Sequence, residues 1–353
     1  MSEPAAKSPR GRGATSNPTN RFTSIAAERF EDYDPGEDPS LRTQFIPDAS
    51  ATLINYNDSP DIPFEASINV YRGCEHGCAY CYARPFHEYL GFSPGLDFET
   101  KIVVKYHAPE LLRQELSSPK WKPQTIAMSG VTDCYQPAER RLQLTRRCLE
   151  VFAEFRNPVG IVTKNHLVTR DLDLLAELAR FQCAAVYVSI TTLDAELTPK
   201  LEPRASLPAL RLAAIRKLSE AGVPVGVMTA PMIPGLNDHE LPKILAAAAD
   251  AGAKFAGLVP LRLPFAVKDI FADWLTRHFP DRKDNVLNRV RSLRGGKLNN
   301  ADFGSRMTGE GVWAEQLRQM FDVVTRKLGL NERGAGLSTA HFRRPGGEQM
   351  KLF

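Results

Sequence analysis

The sequence predicts an α/β fold in which parallel strands and helices alternate. From about Phe64 onward, short apolar runs of strand length alternate with longer amphipathic segments of helix length. This alternation predicts parallel strand pairing with right-handed crossover connections. An incomplete six-stranded parallel (β/α)6 barrel is the most economical arrangement, and an open doubly wound sheet is the alternative that the same pattern allows.

Six apolar runs are candidate strands, and the intervals between them leave room for helices. The candidate strands are Ala66–Tyr71, Thr125–Ser129, Gly160–Thr163, Ala185–Ile190, Val225–Thr229 and Phe255–Leu261. The candidate helices are Pro109–Leu116, Ala138–Phe155, Leu172–Arg180, Leu207–Ala221, Glu240–Ala251 and Val267–His278. Ser206 before one helix and Gly222 and Gly252 after two others are the expected start and stop signals.

The chain divides into three regions by composition. Residues 1–50 are rich in Ser, Pro, Gly and Asn without apolar periodicity, which predicts a disordered or extended N-terminal segment. Residues 51–264 hold the alternating pattern of the partial barrel. Residues 265–353 form a basic helical C-terminal extension with 16 Lys/Arg against 10 Asp/Glu. This basic region fits either a polyanionic partner or an ordinary solvated helical surface.

Composition places the protein among soluble, cytoplasmic proteins. Hydrophobic residues make up 43% and charged residues 24% of the chain, with a net charge of +4. No run of about 18 apolar residues exists, so no membrane span is expected. The N-terminus lacks the apolar core of a secretory signal, and a reducing compartment suits free thiols.

Three closely spaced cysteines form the most informative motif. Cys74, Cys78 and Cys81 stand in a C-x3-C-x2-C pattern directly after the first candidate strand. Structural zinc sites and closed iron–sulfur sites use four protein ligands, whereas three thiolates can hold three irons of a 4Fe–4S cluster and leave the fourth open. Gly73 and Gly77 allow a tight turn around such a cluster. Zinc is the alternative metal for this site.

This motif, with Tyr80 before the third cysteine, resembles that of the radical S-adenosylmethionine (radical SAM) superfamily. The resemblance implies a 4Fe–4S cluster, S-adenosylmethionine bound at its open iron, and a partial (β/α) barrel. It also implies reductive cleavage of the sulfonium to a 5′-deoxyadenosyl radical, with an electron from a reductant such as flavodoxin or ferredoxin. Segments 132–137, 202–205 and 294–297 resemble an uncharacterised branch related to spore photoproduct lyase.

The resemblance also implies cofactor-binding residues at the strand ends. Ser129, Thr132 and Asp133 stand where superfamily members usually carry a Gly-Gly-Glu segment that binds the cofactor's amino group. A hydroxyl and a carboxylate are suitable acceptors for an ammonium, although the same residues also suit a turn before a helix. The remaining candidates are an aromatic, a lysine for the cofactor carboxylate, a ribose-contacting serine and an arginine: Tyr80, Lys164, Ser189 and Arg262.

Cys134 and Tyr135 are candidate catalytic residues, since a thiol at the barrel mouth is a good hydrogen-atom donor to a product radical. The alternative is that Cys134 is a core residue, because free cysteine often behaves as a small buried hydrophobic side chain. The leading functional hypothesis is a lyase-like radical SAM enzyme acting on DNA or RNA, with bases stacking on four aromatic rings: Tyr135, Trp274, His278 and Trp313. Radical modification of a protein or small metabolite and a non-enzymatic iron–sulfur module are the alternatives.

Overall fold

The computed structural model describes residues 9–22 and 42–345. Ten strands and twelve α-helices lie within these ranges. The strands are β1 (Gln44–Pro47), β2 (Ile54–Tyr56), β3 (Ala66–Ile68), β4 (Tyr71–Arg72), β5 (Lys101–Val104), β6 (Ile126–Met128), β7 (Val159–Thr163), β8 (Ala184–Ser189), β9 (Val225–Met232) and β10 (Phe255–Pro260).

The main sheet contains all six strands that the sequence predicts. Its order is β10-β9-β8-β7-β6-β3-β2, and every pair from β3 to β10 is parallel. Neighbours in the sheet are also neighbours among the predicted strands along the chain, so the order never reverses at a switch point. A doubly wound sheet has such a reversal. The alternative topology is therefore wrong, and the parallel α/β fold is confirmed.

The sheet also has a strand that the sequence analysis missed. β2 pairs antiparallel with β3 through Ile54 opposite Ile68 and occupies the edge. Among the described residues no ladder joins β10 to β2. Arg306 instead bridges the two edges by an ion pair with Asp61, which lies between β2 and β3. Closure as an incomplete six-stranded barrel, and the domain bounds drawn around it, stay predictions.

Helices cover the main sheet and bury a continuous apolar core with it. They are α1 (Leu96–Thr100), α2 (Ala108–Ser117), α3 (Glu139–Leu142), α4 (Leu144–Phe155), α5 (Leu172–Arg180), α6 (Leu197–Leu201), α7 (Pro208–Glu220), α8 (Leu241–Asp250), α9 (Val267–His278), α10 (Lys283–Leu293), α11 (Ser305–Thr308) and α12 (Gly311–Lys327). None of these helices is long and apolar enough to span a membrane.

One predicted helix is divided in the structure. The segment 138–155 breaks at Gln143, which has a φ of +52°. The buried carboxylate of Glu139 accepts hydrogen bonds from the N–H groups of Thr145 at 3.0 Å and Arg146 at 3.4 Å. These N–H groups open the new helix α4, where no backbone carbonyl is available to them. The apolar periodicity continues across the break, which is why the sequence did not reveal it.

The prediction for the N-terminal segment needs a correction at residues 9–22. There the chain is packed against the rest of the protein, with Arg12 and Ala14 buried. Ser93 Oγ donates to the carbonyl of Pro18 at 2.7 Å, and Asn20 Nδ2 donates to that of Phe92 at 3.0 Å. Side-chain and backbone hydrogen bonds replace the apolar periodicity that the prediction relied on. The predictions for residues 1–8 and 23–41 lie outside the described residues.

Candidate active site

The cysteine loop follows β4 at the C-terminal edge of the parallel sheet. It carries three free thiols: Cys74, Cys78 and Cys81. Gly73 and Gly77 have φ values of +82° and +67°, so the predicted tight turn is present. A Cβ at Gly73 would lie 2.9 Å from the carbonyl oxygen of Phe98, and one at Gly77 would lie 2.8 Å from Glu99 Oε2. Both positions therefore require glycine.

A buried ion pair supports the loop. Arg84 Nη2 lies 2.5 Å from Glu99 Oε1, and both side chains are fully buried. The same guanidinium donates to the carbonyl oxygen of Cys78 at 2.8 Å and to those of Pro94 and Gly95 at 3.1 and 2.9 Å. Arg84 thereby fixes the backbone between the second and third cysteines, and every hydrogen bond of this bridge is shielded from water.

Residues 9–22, here called the N-terminal strap, lie against the outside of the cysteine loop. The backbone N–H groups of Gly13 and Ala14 donate to the two carboxylate oxygens of Glu99 at 3.1 and 2.9 Å. A Cβ at Gly13 would lie 1.9 Å from the carbonyl oxygen of Gly77. The strap therefore approaches the loop backbone to backbone, at a distance that only glycine permits.

The electrostatics of the three thiols fit a metal-dependent site. Burial raises the pKa of each of them. Cys81 further raises the pKa of Cys74 and Cys78, and Cys78 further raises that of Cys74. Thiolates are the metal-binding form, so a bound cation must stabilise them here. Among the described residues, no group of three His, Cys, Asp or Glu side chains is close enough to hold a single metal ion.

A buried carboxylate, Glu202, organises the side of the loop that faces the end of the sheet. Tyr80 OH and Thr191 Oγ1 donate to its Oε1, and Arg211 pairs with its Oε2. Lys164 Nζ lies 3.5 Å from Glu202 Oε1. Burial alone would raise the pKa of Glu202, but Arg211, Lys164 and the two hydrogen bonds lower it to about 2. Sequence analysis assigned no role to Glu202 or Arg211.

Lys164, the predicted partner of the cofactor carboxylate, lies beside Tyr80 and close to the second cysteine. It follows β7, and its Nζ lies 5.8 Å from the ring centroid of Tyr80. Its charge is close enough to Cys78 to lower the pKa of that thiol against the larger, raising effect of burial. The ammonium donates to the carbonyl oxygen of Ala230 at 3.1 Å, which leaves further donors for a ligand. We call this side of the loop the mouth.

Asp133 accepts hydrogen bonds on both carboxylate oxygens from within the protein. Its Oδ1 accepts from Thr163 Oγ1 at 2.7 Å and from the N–H of Tyr135 at 2.9 Å. Its Oδ2 accepts from the N–H of Lys164 at 2.8 Å and lies 3.4 Å from His76 Nδ1. Burial opposes ionisation, yet these groups lower the pKa of Asp133. The carboxylate ties the cysteine loop to the end of β7.

Ser129 and Thr132 also form internal hydrogen bonds. Ser129 has a φ of +87°, which is unusual for a residue other than glycine and often marks a functional loop. Its Oγ accepts from the N–H of Cys134 at 3.0 Å. Thr132 Oγ1 donates to the carbonyl of Gly73 at 2.6 Å. The segment after β6 is therefore held against the cysteine loop, as a cofactor cradle at that place requires.

Ser189 and Arg262 differ in how available they are. Ser189 is buried, and its carbonyl accepts from Arg211 Nη1 at 3.0 Å. Arg262 lies after β10 with its guanidinium 5.7 Å from the exposed ring of Tyr82, and its Nη1 contacts Met307 Sδ at 3.0 Å. Its Nε is buried without a hydrogen-bond partner among the described residues. Burial lowers the pKa of Arg262.

The two residues predicted to be catalytic lie in the hydrophobic core instead of the mouth. Cys134 and Tyr135 are 1% and 0% exposed, and both belong to the main core cluster. Tyr135 OH donates to Asp171 at 3.1 Å. The turn after Asp133 places both side chains among the core residues, a location that their position in the sequence does not reveal. Trp274, a predicted base-stacking residue, is also fully buried.

The profile of the Radical SAM superfamily matches residues 68–248, from β3 through α8. This range includes the cysteine loop, Asp133, Lys164 and Glu202. The chain belongs to the radical SAM superfamily. Its cofactors are accordingly a 4Fe–4S cluster and S-adenosylmethionine.

Two relatives resemble the chain well beyond the cysteine motif. An uncharacterized protein of Mycobacterium tuberculosis is 40% identical over 234 residues, which cover 66% of this chain and 68% of the relative. An uncharacterized protein of Methanocaldococcus jannaschii is 32% identical over 173 residues, covering 49% of this chain and 62% of that one. Neither description states a reaction.

Among solved structures, spore photoproduct lyase has the same radical SAM fold. The lyase complexed with dinucleoside spore photoproduct aligns with a TM-score of 0.59 and 18% identity, covering 81% of this chain and 80% of that one. A mutant lyase with bound AdoMet and the same dinucleoside aligns over the same shares with a TM-score of 0.59 and 17% identity. The parallel sheet of the radical SAM fold is thereby confirmed.

The donor set of this radical SAM protein fits both cofactors. Three thiols in one loop match a cluster that keeps one iron free of protein, and Lys164 beside them is a cation of the kind that pairs with a carboxylate. Two supporting groups escaped the sequence analysis, Glu99 under the loop and Glu202 at the mouth. The sequence contains one signal for the latter, because Glu202 opens a segment that resembles the family.

Proposed function

We propose that the protein is a radical SAM enzyme that cleaves S-adenosylmethionine reductively and acts on a nucleic acid in a lyase-like reaction. The observation that carries the proposal is the position of Lys164. Its ammonium lies beside Tyr80 and within electrostatic reach of Cys78, so a cation for the cofactor and a thiol for the cluster share one edge of the sheet.

In this proposal each half of the loop has its own task. The three thiolates of Cys74, Cys78 and Cys81 would hold three irons of the cluster, and N–H groups of such a loop can donate hydrogen bonds to cluster sulfur. When bound, the cluster and S-adenosylmethionine together supply a 5′-deoxyadenosyl radical. The protein's part is to bind, orient and exclude water. On the outside of the loop, the orientation of the backbone and the exclusion of water come from Arg84, Glu99 and the N-terminal strap.

At the mouth, the proposed ligands of S-adenosylmethionine are Lys164 for its carboxylate and the segment after β6 for its amino group. Ser129 and Thr132 belong to that segment, while Asp133 fixes it through three hydrogen bonds and its contact with His76. Tyr80 packs beside the ammonium of Lys164. Ser189 and Arg262 are proposed to contact the ribose and an anionic group.

Two observations support a nucleic acid as the substrate. The solved structures that share this fold over about four fifths of both chains include a lyase complexed with a dinucleoside spore photoproduct. The region 265–353 also carries 16 Lys/Arg against 10 Asp/Glu, and a basic surface attracts phosphate backbones. The reductant, such as flavodoxin or ferredoxin, and a cytoplasmic location belong to the same proposal.

The deciding experiment is anaerobic reconstitution of the full chain with iron and sulfide, followed by dithionite and S-adenosylmethionine. We expect 5′-deoxyadenosine in the wild type and none in Cys78→Ala. The assay is then repeated with ultraviolet-irradiated DNA and with RNA, and the products are measured by mass spectrometry. No 5′-deoxyadenosine from a fully loaded protein would overturn the enzymatic proposal, and unchanged nucleic acids would overturn its substrate.

A further inference from the structure

Three exposed aromatic rings around the cysteine loop each lie against an arginine. The pairs are Tyr82 with Arg262, Phe265 with Arg21, and Phe303 with Arg306. The distances from the guanidinium carbon to the ring centroid are 5.7, 3.8 and 4.7 Å, within the range of cation–π contacts. The rings are 47%, 59% and 62% exposed. We call these six residues the basic–aromatic rim.

The rim lies around the C-terminal end of β10 and beside the cysteine loop. Tyr82 directly follows Cys81, and its hydroxyl donates to the carbonyl of Gly130 at 2.7 Å. Arg262 and Phe265 follow β10 directly. Their location places the rim at the same edge of the sheet as the cysteine loop, where a substrate of the proposed reaction must enter.

Arg294 fixes the third pair to this edge. It is 1% exposed, and its guanidinium donates to the carbonyl oxygens of Leu261 at 2.8 Å and Ser305 at 2.9 Å. Phe303 and Arg306 therefore belong to a turn that is attached to the end of β10. The buried guanidinium of Arg294 donates only to backbone carbonyls among the described residues. It therefore holds this turn while no carboxylate in that part of the chain neutralises the charge of Arg294.

The charges of the rim leave a cation available to a partner. Arg21 pairs with Glu88 at 3.3 Å and Arg306 with Asp61 at 2.5 Å. Arg262 has no carboxylate within ion-pair distance among the described residues, and its Nε has no hydrogen-bond partner there. An arginine without an ion pair beside an exposed ring is complementary to an anion that carries flat, stackable groups.

We infer that the basic–aromatic rim binds single-stranded nucleic acid and leads it to the cysteine loop. Bases stack on Tyr82, Phe265 and Phe303, while Arg262 contacts a phosphate. Alternating ring and cation is the arrangement by which proteins bind single strands irrespective of sequence. Unpaired bases are required because a base in a duplex has both of its faces covered by the neighbouring stacked base pairs, and a protein ring needs a free face to stack on. The inference rests on the proposed function and specifies its substrate as unpaired.

The test is fluorescence anisotropy of the reconstituted full chain with a labelled single-stranded oligodeoxythymidine and with a DNA duplex. We expect the single strand to bind more tightly, and its affinity to fall with rising salt. Phe265→Ala and Phe303→Ala should each weaken binding about tenfold. Arg262→Met should make the dependence on salt shallower. Tyr106→Ala, at an exposed tyrosine outside the rim, is the matched control and should bind as the wild type does.

Equal losses in the control and in both phenylalanine variants would overturn the inference, as would tighter binding of the duplex or specific binding of a protein reductant alone at the rim. Retained iron identifies the variants that are folded, and the two phenylalanine variants should also keep forming 5′-deoxyadenosine. A wild type that converts a nucleic acid while the rim variants bind normally contradicts the rim alone. A wild type that binds the single strand at the rim but cleaves no S-adenosylmethionine contradicts the proposed function alone.

Discussion

The cysteine loop has two sides, and they differ in how their charged groups are neutralised. On the strap side, Glu99 accepts from Arg84 and from two backbone N–H groups, and all of these groups are buried. On the mouth side, Lys164 shares Glu202 with Arg211 and otherwise donates to one carbonyl. The strap side is a closed support. The mouth retains cationic donors, which is what binding an anionic group requires.

The largest effect is expected where both sides meet. Cys74→Ala, Cys78→Ala or Cys81→Ala should each abolish the brown absorbance of the reconstituted cluster and all formation of 5′-deoxyadenosine, because two thiolates cannot hold three irons. Iron content and absorbance measure the outcome. Cys183→Ala, at a cysteine outside the loop, is the control and should keep its iron. Full iron retention in all three loop variants would falsify the ligand assignment.

On the strap side, one added methyl group should disrupt the contact between the strap and the cysteine loop. Gly13→Ala places a Cβ 1.9 Å from the carbonyl oxygen of Gly77, so the strap must shift. Overpacking of this kind costs about 1–3 kcal/mol, and we expect a lower melting temperature and loss of iron during gel filtration. Gly160→Ala is the matched control, since its Cβ would have no neighbour within 4 Å. Equal iron loss in both variants would contradict a supporting role for the strap.

On the mouth side, Lys164→Met should leave the cluster in place and weaken the binding of S-adenosylmethionine. Removing a charged donor to a carboxylate costs about 1.5–3 kcal/mol, which is about ten- to a hundredfold in affinity. Equilibrium dialysis of the reconstituted protein measures the affinity, with the exposed Lys120→Met as control. Unchanged affinity together with a lower melting temperature would show that Lys164 only neutralises Glu202.

Asp133 sharpens the comparison because it lies at the mouth, yet both of its carboxylate oxygens already accept hydrogen bonds from the protein, as those of Glu99 do on the strap side. Asp133→Asn replaces an acceptor by a donor facing the N–H of Lys164 or Tyr135, so we expect a loss of about 1–3 kcal/mol in unfolding free energy. The affinity for S-adenosylmethionine should change less than in Lys164→Met. A tenfold loss of affinity at unchanged stability would instead support direct binding of the cofactor by Asp133.

The smallest effect is expected at Cys134. The thiol is buried in the core, so Cys134→Ala should lower the unfolding free energy by about 1 kcal/mol, the usual size of a single core substitution. Formation of 5′-deoxyadenosine and the product pattern should not change. Retained 5′-deoxyadenosine with diverted products would restore Cys134 as the hydrogen-atom donor.

The sequence predicted the parts of the molecule that depend on period and spacing. The six parallel strands and the loop of Cys74, Cys78 and Cys81 follow from local patterns of apolar residues and cysteines. The place of Lys164 directly after a strand was predicted for a similar reason, because the end of a parallel strand has a known location in the fold. These features are decided within a few residues of chain.

The sequence did not reveal features that depend on contacts between distant segments. Glu99 and Glu202 are ordinary glutamates until Arg84 and Arg211 are placed beside them. The direction in which Cys134 points depends on the turn that follows the saturated carboxylate of Asp133. Composition suggested a disordered segment where Gly13 fits against Gly77, since small residues that pack backbone to backbone leave no apolar period.

The attachments of the cysteine loop also determine when the loop can be complete during synthesis. The N–H of Ala79 donates to the carbonyl of Leu201 at 3.2 Å. The strap is fastened to α9, with Thr15 Oγ1 donating to Asp273 at 2.9 Å and Arg277 donating to the carbonyl of Gly13 at 3.2 Å. A ribosome that has just made the three cysteines has made neither Leu201 nor α9. The finished site therefore exists only after translation has passed residue 277, and iron delivered to the nascent loop before then meets thiols without their support.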